Sequence, residues 1–258
     1  TTLSISSALN MDYLVEPGPS ALENYVRYQV LLAGHNPFVR AIKARGYKFV
    51  QVPPGSWAGT DCRGAQDVCF RTASSGINET QITLLQMTPI ETVLRRFFGG
   101  LIEFKRTGFP EAVAGIASFS RKVKSPVFAF THLTIPHDPI YTASCEERPF
   151  SPYFTEALSP KRQGEYVETV RCLNRQILEN LPKLFSGTPA PIIMLLSDHG
   201  ITFGNLFERP VSDWTGEEIK GRYGNLISIN APERCQQHLY PAMSLVNTFR
   251  FALACIDG

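Results

Sequence analysis

The feature that most constrains the fold of this chain is a short apolar run that ends in Asp-His-Gly. Residues 191–200 have the sequence PIIMLLSDHG. A continuous apolar run of this length is typical of a buried strand. Just upstream, residues 160–185 carry apolar side chains at helical spacing and predict a long amphipathic helix. A helix followed by a buried strand indicates an α/β fold with a mostly parallel sheet.

The same alternation of helix and strand occurs elsewhere. Residues 36–45 (NPFVRAIKAR) predict a helix with a proline in its first turn and Gly46 at its end. Strands are predicted at 47–52 (YKFVQV) and 126–133 (PVFAFTHL). Further helices are predicted over residues 20–33, 88–104 and 244–256. We therefore expect one α/β domain over residues 1–258, with a mostly parallel central sheet flanked by helices.

Composition and charge narrow the classes of function. The chain has 258 residues, of which 43% are hydrophobic and 19% are charged, as in an ordinary folded protein with a sizeable core. Its formal net charge of +2 gives no electrostatic reason to expect a nucleic acid partner. No apolar run approaches the roughly 20 residues that span a bilayer. The opening residues also lack the pattern of a signal peptide.

Six cysteines are present, and none forms a CxxC pair, which argues against a zinc ribbon. Cys62 and Cys69 bracket a short polar loop that contains glycine, and we predict a disulfide between them. A disulfide suits an oxidising compartment. The alternative is a set of buried free thiols in a cytosolic protein.

Asp198 and His199 follow the apolar run directly. In open α/β sheets, ligands bind outside the carboxyl ends of the strands. A carboxylate beside an imidazole suits zinc or manganese, and Gly200 would let the backbone turn sharply after them. The alternative is structural, with Asp198 capping the next turn and His199 packed beside it.

A second polar segment follows a predicted strand, in the sequence THLTIPHDP at 131–139. Its two histidines and two prolines predict a stiff loop that could hold an imidazole against an anionic group. His137, between Pro136 and Asp138, is predicted to be functional. His132 is explained equally well as a loop histidine bonded to the backbone.

The first residues, TTLSISS, are rich in hydroxyl groups and continue into a predicted helix. A hydroxyl at a helix N-terminus is well placed for nucleophilic attack, because the helix dipole and backbone N–H groups favour a developing anion. The alternative is an ordinary Ser/Thr cap.

Taken together, these segments resemble the sulfatase-like branch of the alkaline phosphatase superfamily, nearest to phosphoglycerol transferases and lipoteichoic acid synthase-like enzymes. The resemblance covers nearly the whole chain. TTLSISSALNMDYL is similar to the nucleophile segment, THLTIPHDPIY to the His-Pro loop, and PAPIIMLLSDHG to the metal-ligand strand. GYKFVQV, RYGNLISINAP and LYPAMSLVNTFRFAL match further segments in the same order. The Ser-Asp-His-Gly strand end is the most specific match.

The resemblance implies roles for individual residues. Thr1 matches the nucleophilic threonine, which also touches the metal, and Thr2 takes this role if the alignment shifts by one residue. Asp198 and His199 match two ligands of the metal, Mn²⁺ or Zn²⁺.

Three further residues are candidates for binding the substrate. His137 matches a substrate-binding histidine of the family, and it is also a candidate catalytic residue that could stabilise the anionic oxygens or assist the leaving group. Arg222 matches a basic position near the site. His132 is a candidate because it lies in the same loop as His137.

The chain departs from the family in one respect. The family carries an acidic metal ligand at the end of its first strand, upstream of the nucleophile. We therefore expect this chain to be N-terminally truncated, with an alkaline phosphatase-like fold whose first strand is missing.

The resemblance implies a metal-dependent transferase or hydrolase of phosphate (di)esters. The expected reaction is transfer of a phosphoglycerol or phosphoethanolamine-type headgroup through a phospho-threonine, with a phospholipid headgroup or glycan as substrate. The expected location is the extracytoplasmic face of the membrane or the periplasm, with a membrane anchor upstream. No Cys/Ser-x-Pro-x-Arg motif is present, which favours phosphate over sulfate. The alternatives are a sulfate-ester hydrolase, an inactive glycan- or headgroup-binding domain, and a domain in which Asp198 and His199 are structural.

Overall fold

The computed structural model describes residues 2–14, 21–55, 58–71, 84–85, 87–90, 93, 107–136, 141–147, 160–185, 190–201, 206 and 209–258. The α-helices are α1 Thr2–Asn10, α2 Ala21–Leu32, α3 Pro37–Ala44, α4 Phe109–Ser120, α5 Pro160–Asn180, α6 Gly216–Tyr223, α7 Glu233–Gln236 and α8 Leu245–Asp257. The strands are β1 Lys48–Val52, β2 Val68–Cys69, β3 Val127–Thr131, β4 Ile193–Leu196 and β5 Ile227–Asn230. Short 3₁₀ helices span Ala58–Thr60, Leu181–Leu184 and Val211–Asp213. The architecture is mixed α/β, as predicted.

The chain divides into two compact units. The first comprises Thr1–Tyr47, Tyr153–Gly164 and Leu184–Gly258, and the second comprises Lys48–Pro152 and Glu165–Lys183. The parallel sheet belongs to the second unit, and strands β4 and β5 belong to the first. That residues 1–258 form one domain stays a prediction.

The second unit contains a three-stranded parallel sheet in the order β2-β1-β3. Its central strand β1 is almost fully buried, and Phe49 stacks on Phe128 of β3 with ring centroids 5.5 Å apart. Helix α4 packs against β3. The prediction of a parallel sheet flanked by helices is confirmed for this part of the chain.

Residues next to α3 explain where this helix begins and where it ends. Asn36 caps the helix, since its side chain accepts a hydrogen bond of 2.8 Å from the Val39 N–H, and Pro37 occupies the first turn. Gly46 has a φ of 82°, a left-handed conformation that glycine adopts without strain. The predicted helix at 36–45 is therefore confirmed.

The first unit packs its helices around α1. Helix α1 contacts α2, α3 and α8, and the Ser6 hydroxyl donates a hydrogen bond to the Tyr28 carbonyl. Phe38 of α3 packs on Phe249 of α8, with ring centroids 4.7 Å apart. The predicted helices at the start and end of the chain and at 20–33 are confirmed. Most of the helix predicted over 88–104 lies outside the described residues.

Strand β4, which ends just before the Ser-Asp-His-Gly segment, differs from expectation in its pairing. It runs antiparallel to β5, with Ile193 opposite Asn230 and Leu196 opposite Ile227. Within the described residues these two strands form a separate two-stranded sheet, and β4 is half-buried throughout. An apolar run indicates burial but carries no information on strand direction, so the sequence did not predict this antiparallel pairing.

All six cysteines form disulfides. Cys62–Cys69 is the predicted bridge, and Cys145–Cys172 and Cys235–Cys255 are two that the sequence left unassigned. Each bridge lies within one compact unit. Three disulfides suggest an oxidising, extracytoplasmic environment, which disfavours the alternative of free thiols. Among the described helices, none is both long enough and apolar enough to cross a bilayer.

Candidate functional site

The end of β4 is fixed by its pairing with the segment that precedes β5. The Ser197 N–H donates to the Leu226 carbonyl at 2.9 Å, and the Leu226 N–H donates to the Ser197 hydroxyl oxygen at 2.7 Å. These bonds extend the contact between the two segments by one residue beyond the strands. Asp198 therefore begins where the strand pairing stops.

Gly200 is required by close packing of the backbone. A Cβ atom built on Gly200 would lie 1.9 Å from the Gly221 carbonyl oxygen and 2.7 Å from that of Gly224. Gly200 does not have a positive φ, so its backbone conformation alone does not require glycine. The approach lets the Gly200 N–H donate to the Arg222 carbonyl at 2.9 Å. The segment after β4 is thereby held against the end of α6.

This packing brings Asp198, His199 and Arg222 together. His199 Nε2 lies 3.3 Å from Asp198 Oδ2. On the other side of the ring, His199 Nδ1 lies 2.8 Å from the Gly200 carbonyl oxygen and 3.0 Å from Arg222 Nη1. The Asp198 and His199 side chains are 19% and 21% exposed, whereas the Asp198 Oδ2 atom itself is buried.

The neutral His199 ring can make only one of its two Nδ1 hydrogen bonds at a time, because Nδ1 either carries the proton or accepts one. In one tautomer, Nδ1–H donates to the Gly200 carbonyl and Nε2 keeps its lone pair. In the other, Nδ1 accepts from the Arg222 Nη1–H. The 3.3 Å contact between Nε2 and Asp198 Oδ2 meets the distance of an ion pair but is not a hydrogen bond.

Burial sets the charge of this histidine. Loss of solvent around the ring is the largest influence, and it lowers the pKa of His199 below the ordinary value of 6.5. The positive charge of Arg222 lowers the pKa as well, whereas the Gly200 carbonyl and Asp198 act in the opposite direction. His199 is therefore neutral at neutral pH, which is the form in which histidine binds metals.

The distance between Asp198 Oδ2 and His199 Nε2 fits two ligands of one metal ion. Ligands about 2.0–2.1 Å from a tetrahedral zinc are about 3.3 Å from each other, and the two atoms here are 3.3 Å apart. The hydrogen bond to the Gly200 carbonyl is the usual support of a metal-binding imidazole. Within the described ranges, no group of three or more His, Cys, Asp or Glu side chains could hold a metal. Asp198 and His199 by themselves could therefore supply two of the ligands of a metal ion.

The remaining predicted site residues are Thr1, Thr2, His132 and His137. Thr1 and His137 lie outside the described residues. Thr2 is the first residue of α1 and is partly exposed. His132 follows β3 and belongs to the second unit.

His132 lies in a polar group at the carboxyl end of the parallel sheet. Its Nδ1 atom is 3.2 Å from the Thr60 hydroxyl oxygen, and Gln51 Nε2 donates a bond of 2.8 Å to the Thr60 carbonyl. Gln51 is fully buried. Gln51 and Thr60 were not among the predicted site residues. A glutamine inside the apolar strand YKFVQV was the one signal that could have indicated this group.

No protein-family model, no curated protein and no solved structure matches the chain. Function is therefore inferred from the chemistry of the site and from the family resemblance of the sequence.

Proposed function

We propose that this protein is a metal-dependent transferase or hydrolase of phosphate (di)esters with an alkaline phosphatase-like fold. One observation carries the proposal: a carboxylate and a neutral imidazole lie 3.3 Å apart at the end of β4, with a guanidinium group beside them. This combination supplies two metal ligands and a cation for phosphate oxygens. The order of the matching segments supports the same class of protein.

In this proposal Asp198 and His199 hold a divalent cation, Zn²⁺ or Mn²⁺, and the Thr1 hydroxyl is a further ligand. The bound cation would withdraw charge from a phosphate oxygen and lower the pKa of a nearby hydroxyl. Gly200 supports the imidazole through its carbonyl oxygen. These roles need a neutral His199, which its burial favours.

The chain's own residues would then carry out the transfer. The Thr1 oxygen attacks phosphorus, forms a bond to it and expels the ester oxygen as an alcohol, leaving a phospho-threonine. Water or an acceptor alcohol then attacks the same phosphorus and releases Thr1. Arg222 binds anionic phosphate oxygens through its planar guanidinium, and His137 binds the substrate from its loop.

The proposed substrate is a phospholipid headgroup or a glycan. The group proposed to be transferred is of the phosphoglycerol or phosphoethanolamine type. The proposed location is the extracytoplasmic face of a membrane or the periplasm, with the protein anchored in the membrane. The three disulfides support the extracytoplasmic part of this proposal.

The proposal is tested by metal binding and turnover in the same preparation. Protein stripped with a chelator is titrated with Zn²⁺ and Mn²⁺ by calorimetry, then assayed on a chromogenic phosphodiester and a chromogenic sulfate ester. We expect metal-dependent phosphodiester turnover that falls at least about 100-fold in Asp198→Asn, since a ligand of the cation is lost. Asp213→Asn, which alters an exposed carboxylate, should behave as wild type.

Other outcomes contradict the proposal in distinct ways. Turnover of the sulfate ester alone would identify a sulfate-ester hydrolase. A folded protein that binds no metal and cleaves neither ester would refute the enzyme hypothesis and favour a glycan- or headgroup-binding domain.

A further inference from the structure

We propose that the exposed apolar surface around helix α6 lies on a bilayer of zwitterionic phospholipids and brings their phosphate groups to the candidate site. This surface consists of Val211, Ile219, Tyr223 and Leu226, and we call it the α6 surface. The inference rests on the proposed function and deepens it, because it selects a phospholipid as the substrate of that site.

The first observation is the exposure of four large apolar residues in one short stretch of chain. Val211, Ile219, Tyr223 and Leu226 are between 41% and 62% exposed. The Tyr223 ring stacks on the buried Trp214, with ring centroids 6.4 Å apart, and the Trp214 N–H donates to the Val211 carbonyl at 3.2 Å. Single apolar residues on a surface are ordinary, whereas a group of them marks a contact with another molecule or with a membrane.

The second observation is that this surface continues into the candidate site. Ile219, Arg222 and Tyr223 are three and four residues apart on α6, and side chains at these spacings lie on one face of a helix. Arg222 Nη1 lies 3.0 Å from His199 Nδ1. Leu226 is bonded through its backbone to the end of β4, where the site begins. A bilayer on the α6 surface would therefore hold its headgroups beside the site.

The third observation is the balance of charge. Residues 209–226 contain equal numbers of cations and carboxylates, namely Arg209, Lys220, Arg222, Asp213, Glu217 and Glu218. A surface without net charge has no electrostatic attraction for nucleic acid or for a strongly charged protein. It matches a zwitterionic bilayer, whose headgroups each carry one charge of either sign. Insertion of apolar side chains, and not charge, would hold the protein there.

The chemistry of the α6 surface also fits a phospholipid better than a glycan. A phospholipid carries an anionic phosphate close to apolar acyl chains, and this face of α6 carries the guanidinium of Arg222 next to Ile219 and Tyr223. Tyrosine is suited to the boundary of a bilayer, because its ring is apolar and its hydroxyl is polar. A glycan presents hydroxyl groups, and the aliphatic side chains of Val211 and Leu226 have no atoms that could bond to them.

The test measures binding of the full chain to vesicles of phosphatidylcholine and phosphatidylethanolamine by flotation. A chelator is present, so that binding does not depend on a metal. We expect wild type to float with the vesicles and Ile219→Ser/Tyr223→Ser to bind at least about tenfold more weakly, because two apolar side chains no longer enter the bilayer. Tyr25→Ser/Val26→Ser alters an exposed tyrosine and an exposed aliphatic residue on α2 of the same unit, and it should bind within about twofold of wild type.

A second measurement avoids serine and keeps an aromatic ring at position 223. Tyr223→Trp should retain vesicle binding, and its added fluorescence should be quenched by phospholipids brominated near the headgroup end of the acyl chains. The same lipids should leave the added fluorescence of Tyr25→Trp unchanged.

The possible outcomes separate this inference from the proposed function. Equal loss of vesicle binding in the two double variants, or a wild type that cleaves the chromogenic phosphodiester but does not float, would overturn the inference and leave the proposed function in place. A dimer in solution that Ile219→Ser/Tyr223→Ser dissociates would identify a second copy of the chain as the partner and would also overturn it. Vesicle binding by a wild type that binds no metal and cleaves no ester would refute the proposed function and leave the lipid contact.

Discussion

Replacing Gly200 by alanine tests the close approach that assembles the site. The added Cβ would lie 1.9 Å and 2.7 Å from the backbone oxygens of Gly221 and Gly224, whereas non-bonded heavy atoms prefer about 3.5 Å or more. Because both contacts are with backbone, a side-chain rotation cannot relieve them. Such overpacking typically costs about 1–3 kcal/mol, and separation of the segments also breaks the bond from Gly200 to Arg222, worth about 1 kcal/mol. We expect a loss of roughly 2–4 kcal/mol in the free energy of unfolding.

The assay is urea denaturation followed by circular dichroism, with Gly216→Ala as the matched control. Nothing lies within 4 Å of a Cβ atom at Gly216, the first residue of α6. Alanine there should leave stability unchanged or raise it by up to about 1 kcal/mol. If Gly200→Ala were as stable as Gly216→Ala, the two backbone segments would not approach as described, and this approach would not be what holds Arg222 beside His199.

Two further predictions concern pH and the disulfides. Because the folded-state pKa of His199 lies below the unfolded value of 6.5, the contribution of this residue to stability is complete above pH 6.5 and declines as the pH falls through the folded-state pKa. Urea denaturation in the presence of a chelator, at pH 7.5 and 5.5, should therefore show a smaller loss of stability in His199→Gln than in wild type. Equal losses of stability would contradict the lowered pKa. Replacing Cys145 and Cys172 by serine should cost about 3.5 kcal/mol, and replacing Cys62 and Cys69 about 2.4 kcal/mol, by the entropy of loop closure. The sequence separations are 27 and 7 residues, and the reverse order of melting temperatures would contradict this account.

Several features of the fold follow from residues close together in the sequence. Asn36, Pro37 and Gly46 are sufficient to predict α3 and its ends, because a cap, a first-turn proline and a left-handed glycine each act within one turn. Cys62 and Cys69 are near enough for a disulfide to be predicted from their spacing. The other two bridges join cysteines 27 and 20 residues apart, and spacing gives no preferred pairing at those distances.

The features of the candidate site also fall into those that the sequence predicts and those that only the tertiary structure shows. The sequence alone determined that Asp198 and His199 follow a strand, because an apolar run and the polar residues after it are adjacent in the chain. Only the tertiary structure decided that β4 pairs antiparallel with β5, and that Arg222 lies 3.0 Å from His199 across 23 residues of sequence. The need for glycine at position 200 arises from carbonyl groups of another segment. Patterns in a sequence reflect interactions between residues that are close together in the chain. Contacts between distant segments depend instead on how the whole chain packs.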